Sequence, residues 1–120
     1  MVLVDTPIWV SFLRKGNGRL KSLLREARVA CHPLIVGELA CGTLDNRTEF
    51  LTLLQTLPQV SMASEREVLH FIDHHRLSAA GVGLIDAHLM ASARLSDLPL
   101  WTSEGNLRAA AGRLGIAYRY

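Results

Sequence analysis

The sequence predicts an α/β fold: three α/β/α layers around a central, mostly parallel sheet of four to five short strands. Two observations carry this. Short apolar runs recur along the chain at Val2–Asp5, Val29–Cys31, Gln59–Met62 and Leu98–Thr102. Each is followed by segments with helical spacing of apolar residues, the alternation that builds βαβ units with right-handed crossovers. In such sheets ligands bind beyond the carboxyl ends of the strands, so acidic or polar residues there are the first place to look for chemistry.

The elements follow in order. Val2–Asp5 reads as a buried strand. Thr6 and Pro7 then open a helix, since Thr is a good N-cap and Pro is favoured at the first helical position. Ile8, Trp9, Phe12 and Leu13 give it an apolar face, and Gly16–Gly18 ends it. A basic helix near Arg19–Arg28 turns Leu20, Leu23 and Leu24 inward, before the strand Val29–Cys31. Pro33 opens a helix to about Gly42, and Arg47–Leu57 forms another, stopped by Pro58. Gln59–Met62 is the third strand. Ser64 and Glu67 form a capping box for a helix to about Leu77. Gly81 and Gly83 precede a helix over Leu84–Ser96, then the strand Leu98–Thr102. Glu104–Leu114 is helical, Gly115 ends it, and Ile116–Tyr120 supplies a last strand.

Size and composition bound the answer. At 120 residues the chain is expected to form one domain over its whole length, 1–120, without an internal boundary. With 49% hydrophobic residues it can build a core without disulfides or a structural metal. Thirteen basic residues against 11 acidic give a formal charge of +2, which excludes a polybasic coat, an acidic tail or a disordered chain. The amino terminus has no basic, long apolar leader, and no apolar run approaches the ~18 residues that span a bilayer. Cys31 and Cys41 read as free thiols, so a cytoplasmic, reducing compartment is expected.

Four carboxylates occupy places that solubility does not explain. Asp5 directly follows an apolar strand; the plainer reading, a cap for the next helix, competes with Thr6 for that role. Glu38 falls between Leu34 and Ile35 on a helical wheel, inside an apolar stripe, where an acid needs a partner or a cation. Asp86 falls between Ala93 and Met90 on the apolar arc of its helix, in the first turn, where the helix dipole also favours an anion. Glu104 lies just past the strand Leu98–Thr102, beside the hydroxyls of Thr102 and Ser103. Carboxylates brought together repel until one takes a proton or a cation intervenes. Mg²⁺ and Mn²⁺ prefer such oxygen donors and promote phosphodiester hydrolysis. Metal-assisted hydrolysis of a phosphodiester is therefore the reaction class these residues favour.

The same segments carry a family resemblance. VLVDTPIWVSFLR, HPLIVGELACG, GVGLIDAHLMASARL and LWTSEGNLRAAAGRLGI occur in that order over nearly the whole chain. Together they resemble PIN-domain ribonucleases, most closely the VapC toxins of bacterial VapBC toxin–antitoxin pairs. The resemblance implies a PIN-like fold, with Asp5, Glu38, Asp86 and Glu104 as ligands of Mg²⁺ or Mn²⁺, directly or through water. It implies that Thr6 supports the site by its hydroxyl. Glu104 departs from the pattern, where Asp is usual, and Asn106 is a polar neighbour. The resemblance also implies an endoribonuclease acting on structured RNA of the tRNA or rRNA class, a homodimer, and a VapB-like antitoxin whose C-terminal segment covers the site.

Six basic residues, Arg14, Lys15, Arg19, Lys21, Arg25 and Arg28, crowd one stretch opposed only by Glu26. They read either as an RNA-backbone or antitoxin-facing surface or as the solvated face of a helix. With the four site acids set aside, seven acids remain against the 13 basic residues, which suits an acidic pocket in a basic surface. Trp9 and Trp101 read as core. His70 and His74 have the spacing of a zinc pair, without an evident third ligand. His32 and His88 read as surface or boundary residues. Two rival readings stand beside the nuclease: a doubly wound regulatory module, and an inactive scaffold that binds a partner or RNA. The first is weakened by the lone Asp5 after the first strand and by Thr102–Ser103–Glu104 where such modules place a Lys.

Overall fold

The computed structural model describes residues 1–119. Their order is β1 (Val2–Val4), α1 (Thr6–Lys15), α2 (Gly18–Arg25), β2 (Val29–Ala30), α3 (Pro33–Ala40), α4 (Arg47–Thr56) and α5 (Glu65–His74). A 3₁₀ turn at Leu77–Ala79, α6 (Leu84–Leu95), β3 (Leu100–Trp101) and α7 (Gly105–Arg113) complete it. The strands run parallel in the order β2-β1-β3. Leu3 sits at the centre, opposite Ala30 on one side and Leu100 on the other. Every strand residue is buried. That is why these runs are uniformly apolar rather than alternating, as expected of parallel strands covered on both faces.

The sheet has three strands among the described residues, not four to five. Gln59 makes a single parallel bridge to Cys31, and Ala117 a single bridge to Leu100. The cause at the first site is competition for backbone donors. The N–H of Ser61 goes to Ser96 Oγ and that of Ala63 to Ser92 Oγ, both on or just past α6, so the ladder stops after one step. At the second site β3 offers too little edge: past Trp101 the chain turns at once into the cap of α7. Tyr120, the last residue of the expected final strand, lies outside the described residues.

Local signals explain most helix boundaries. Ser64 and Glu67 form the expected capping box, each bonding the other's backbone N–H. Asn17 caps α2. The cap of α1 is Asp5, not Thr6: Asp5 Oδ1 accepts the Thr6 N–H at 2.8 Å, and Thr6 is the first helical residue. Trp9 is fully buried and meets Phe12 and Phe50 edge to face, and Trp101 is also core. Cys31 and Cys41 are free thiols, the first buried and the second exposed.

His32 is not a boundary residue; it is fully buried. It caps α3 by accepting the Leu34 N–H at Nδ1, which places its proton on Nε2, facing Ser92 Oγ at 3.0 Å. Ser92 Oγ also accepts the Ala63 N–H. Burial, and then the nearby His88, hold the His32 pKa down to about 4, so the ring stays neutral. This network ties the start of α3 to the middle of α6, the two helices that carry Glu38 and Asp86.

Candidate active site

Asp5, Thr6, Glu38, Asp86 and Glu104 come from four separated segments and line one pocket of about 680 Å³. It opens beyond the carboxyl ends of β1 and β3, where the fold rule places ligands. Asp5 is 3% exposed. Its Oδ1 caps α1, and its Oδ2 accepts the Thr102 hydroxyl at 2.8 Å. That hydroxyl in turn accepts the Glu104 N–H. Burial raises the Asp5 pKa above the usual carboxylate range, partly offset by these two hydrogen bonds.

Glu38 is exposed rather than buried in an apolar stripe. The helix α3 is short and mostly apolar, so a wheel drawn on it singles out no face; Glu38 looks into the open pocket and accepts the Thr6 hydroxyl at 2.8 Å. Thr6 can reach it because Asp5, as cap, leaves that hydroxyl free. Glu104, also exposed, is the N-cap of α7, its Oε2 accepting the Leu107 N–H at 2.6 Å. Asp86 sits in the first turn of α6, partly buried, with no hydrogen-bond partner among the described residues. Burial, and then the charges of Asp5, Glu104 and Glu38, raise its pKa from 3.8 to about 6. Asn106 lies outside the pocket lining. It donates to the Gly81 carbonyl and so pins the loop that leads into α6. Gly81 has φ +69°, and a Cβ there would lie 2.7 Å from the Asn106 amide, so only glycine suits the site.

The donor set is all oxygen, four carboxylates and a hydroxyl, which suits a hard divalent cation and not a soft one. The mutual repulsion felt by Asp86 is the field such a cation relieves. Among the described residues no group of three His, Cys, Asp or Glu is arranged to hold an ion as placed. Three of the four carboxylates are engaged by the protein, so a cation would compete with Thr6 for Glu38 and with the α7 cap for Glu104. The chemistry of the pocket fits a divalent cation. It does not extend to His70 and His74, whose rings stack at 5.7 Å on α5 in no metal-holding group.

The PIN domain profile matches residues 2–113. The protein "Ribonuclease VapC32" of Mycobacterium tuberculosis is 39% identical over 118 residues, which is 98% of this chain and 95% of its own. This chain belongs to the PIN-domain family of VapC ribonucleases. Among solved structures, the PIN fold recurs in a toxin–antitoxin complex from Klebsiella pneumoniae, with TM-score 0.65, 20% identity and 87% of each chain covered. It recurs in FitAcB from Neisseria gonorrhoeae, with TM-score 0.61, 19% identity, and 93% and 94% covered. At these identities the likeness speaks for the fold.

Sequence reasoning passed over Ser11 in the lining of this PIN-domain pocket and Thr102 just behind it. Thr102 was a neighbour by sequence, yet it is the hydroxyl that connects Asp5 to Glu104. Arg14 and Lys15 read either as part of an RNA-backbone or antitoxin-facing surface or as a solvated face; they occupy the last turn of α1 and line the same pocket as the acids, together with Ser11. The available signal was the i, i+4 run from Pro7 through Ser11 to Lys15, with Arg14 at i+3 from Ser11, which sets these side chains on the α1 face that begins at Asp5.

Proposed function

We propose that this VapC-type PIN domain is the toxin endoribonuclease of a type II toxin–antitoxin pair. It hydrolyses RNA phosphodiester bonds with Mg²⁺ or Mn²⁺, acts in the cytoplasm as a homodimer, and is silenced by a VapB-like antitoxin over the pocket. The observation that carries the reading is the convergence of Asp5, Glu38, Asp86 and Glu104 in one pocket beyond the strand ends. Asp5, Glu38, Asp86 and Glu104 would hold the cation, and Thr6 orients Glu38. When bound, the ion supplies Lewis acidity to a phosphate oxygen and to water. The chain's own part is positional. Asp5 is held between the α1 terminus and Thr102, and Glu104 is placed through the same hydroxyl. Asp86, whose charge is opposed by burial and by the other three carboxylates, is the acid whose charge a cation would relieve. No helix among the described residues is long and apolar enough to cross a membrane.

The test is cleavage of a tRNA and rRNA pool by purified protein with Mg²⁺ or Mn²⁺. Activity that EDTA stops, and that Asp86→Asn removes, is the expected result. Wild-type cleavage that survives EDTA refutes the metal role. No cleavage with either ion favours a scaffold that only binds.

A further inference from the structure

The pocket has two ends of opposite charge. The four carboxylates surround the start of α1, while Arg14 and Lys15 lie at its other end, on the lining of the same pocket. Both are exposed, and neither has an ion-pair partner among the described residues. The crowded basic stretch is thereby divided. Arg19 is committed to Tyr118, donating to its hydroxyl and lying over its ring, and Arg28 pairs with Glu26. Only Arg14 and Lys15 of the six line the acidic pocket.

A polyanion approaching four carboxylates needs cationic guidance that does not cancel against them. Eight residues of helix separate Thr6 from Arg14, about 12 Å along the axis. The Arg14 side chain leans back toward the start of the helix, which brings its charge beside the carboxylates rather than among them and suits a neighbouring phosphate of the same strand. Ser11 lies between, partly exposed, with a hydroxyl able to donate to a phosphate oxygen.

We infer that α1 is a phosphate rail: Ser11, Arg14 and Lys15 bind the RNA backbone beside the scissile phosphodiester and fix the strand along the helix. This rests on the nuclease reading above and adds a substrate-positioning role to it. A plainer role for Arg14 and Lys15 exists, as cations at the negative end of the α1 dipole. It predicts a small loss of stability and no change in substrate handling.

The experiment uses the Arg14→Ala/Lys15→Ala double variant, with Arg14→Lys as the charge-keeping control. Steady-state cleavage is compared on an RNA octamer and on a dinucleotide, which has no second phosphodiester. Octamer binding is read by fluorescence anisotropy in an Asp86→Asn background across a salt series. On the octamer KM should rise roughly tenfold with kcat within about twofold, while the dinucleotide is handled as by wild type. Removing two phosphate contacts should flatten the log–log salt dependence of binding by about 1.4. Arg14→Lys should retain most of the octamer affinity. Unchanged octamer binding, or an equal loss on the dinucleotide, overturns the rail. If wild type cleaves nothing but the variant still loses octamer affinity and salt slope, the nuclease reading falls and the rail stands.

Discussion

Asp86→Asn should do two opposite things: abolish cleavage and raise the stability of the metal-free protein. Asp86 has no hydrogen bond to lose among the described residues, and its charge is opposed by burial and by Asp5, Glu104 and Glu38. Its folded pKa of about 6 lies above the ordinary 3.8, so the folded state holds the proton more tightly than the unfolded chain. The stability this confers is complete below about pH 4 and is lost as pH rises through about 6. Above that the fold carries the whole penalty, about 3 kcal/mol at 1.36 kcal/mol per tenfold change in acidity. Asp86 is partly exposed and water screens it, so roughly 1 kcal/mol is the expected gain from removing the charge. For a domain of this size that is about 4 °C in Tm. The assay is thermal unfolding by circular dichroism in EDTA, at pH 8 and pH 4. The variant should melt higher at pH 8 and level with wild type at pH 4. A variant that melts no higher than wild type at pH 8 refutes the argument that the pocket is an electrostatic liability without a cation.

Adding Mn²⁺ at pH 8 should raise the wild-type Tm, by about 2.7 kcal/mol in stability at a hundred times Kd, and leave Asp86→Asn nearly unmoved; EDTA should reverse it. The apparent affinity should weaken below about pH 6 as protons compete at Asp86, which isothermal titration at several pH values checks. Thr102→Val strips the buried Asp5 carboxylate of a donor and the Glu104 N–H of its acceptor, and should cost about 1.5–3 kcal/mol in urea unfolding, with Thr102→Ser retaining most of it. Ser92→Ala leaves the His32 Nε2–H and the Ala63 N–H buried without an acceptor, at about 1–3 kcal/mol by the same measurement.

The alternation of apolar runs and amphipathic segments made the sheet legible, and the capping box and the glycine and proline stops made most helix ends legible. The strand count was not. Whether Gln59–Met62 completes a ladder depends on hydroxyls of Ser92 and Ser96, some thirty residues later in the chain, and no local pattern reports that competition. That these four acids share one pocket was legible because each stands where a strand or a helix turn leaves it without an obvious solvating reason. Their environments were less so. Glu38 was drawn inward by a wheel on an eight-residue, mostly apolar helix, yet it is exposed. His32 read as a surface or boundary residue, yet it is buried and donates to Ser92 Oγ across the core. Both errors concern partners supplied by distant segments.

The pocket also shows how a fold tolerates four acids without an ion. Three helices begin there. Asp5 is the cap of α1, Glu104 the cap of α7, and Asp86 lies in the first turn of α6. Each meets the positive end of a helix, worth about 0.3–1 kcal/mol apiece. Glu38 is the exception, in the later half of α3, and it takes the Thr6 hydroxyl instead. The acids thus differ in how far their structural and chemical duties can be separated. Asp86 contributes charge alone, whereas Asp5 holds α1 and Thr102 in place while facing the pocket. In Asp5→Asn one oxygen can still cap α1. The amide then faces a Thr102 hydroxyl whose oxygen already accepts the Glu104 N–H, and the charge-assisted bond is gone. Asp5→Asn should therefore lose cleavage and also about 1–3 kcal/mol of stability in urea unfolding at pH 8. Asp86→Asn loses only the first. If Asp5→Asn is as stable as wild type while Asp86→Asn is destabilised, the division of labour among the carboxylates is the reverse of the one argued from their hydrogen bonds.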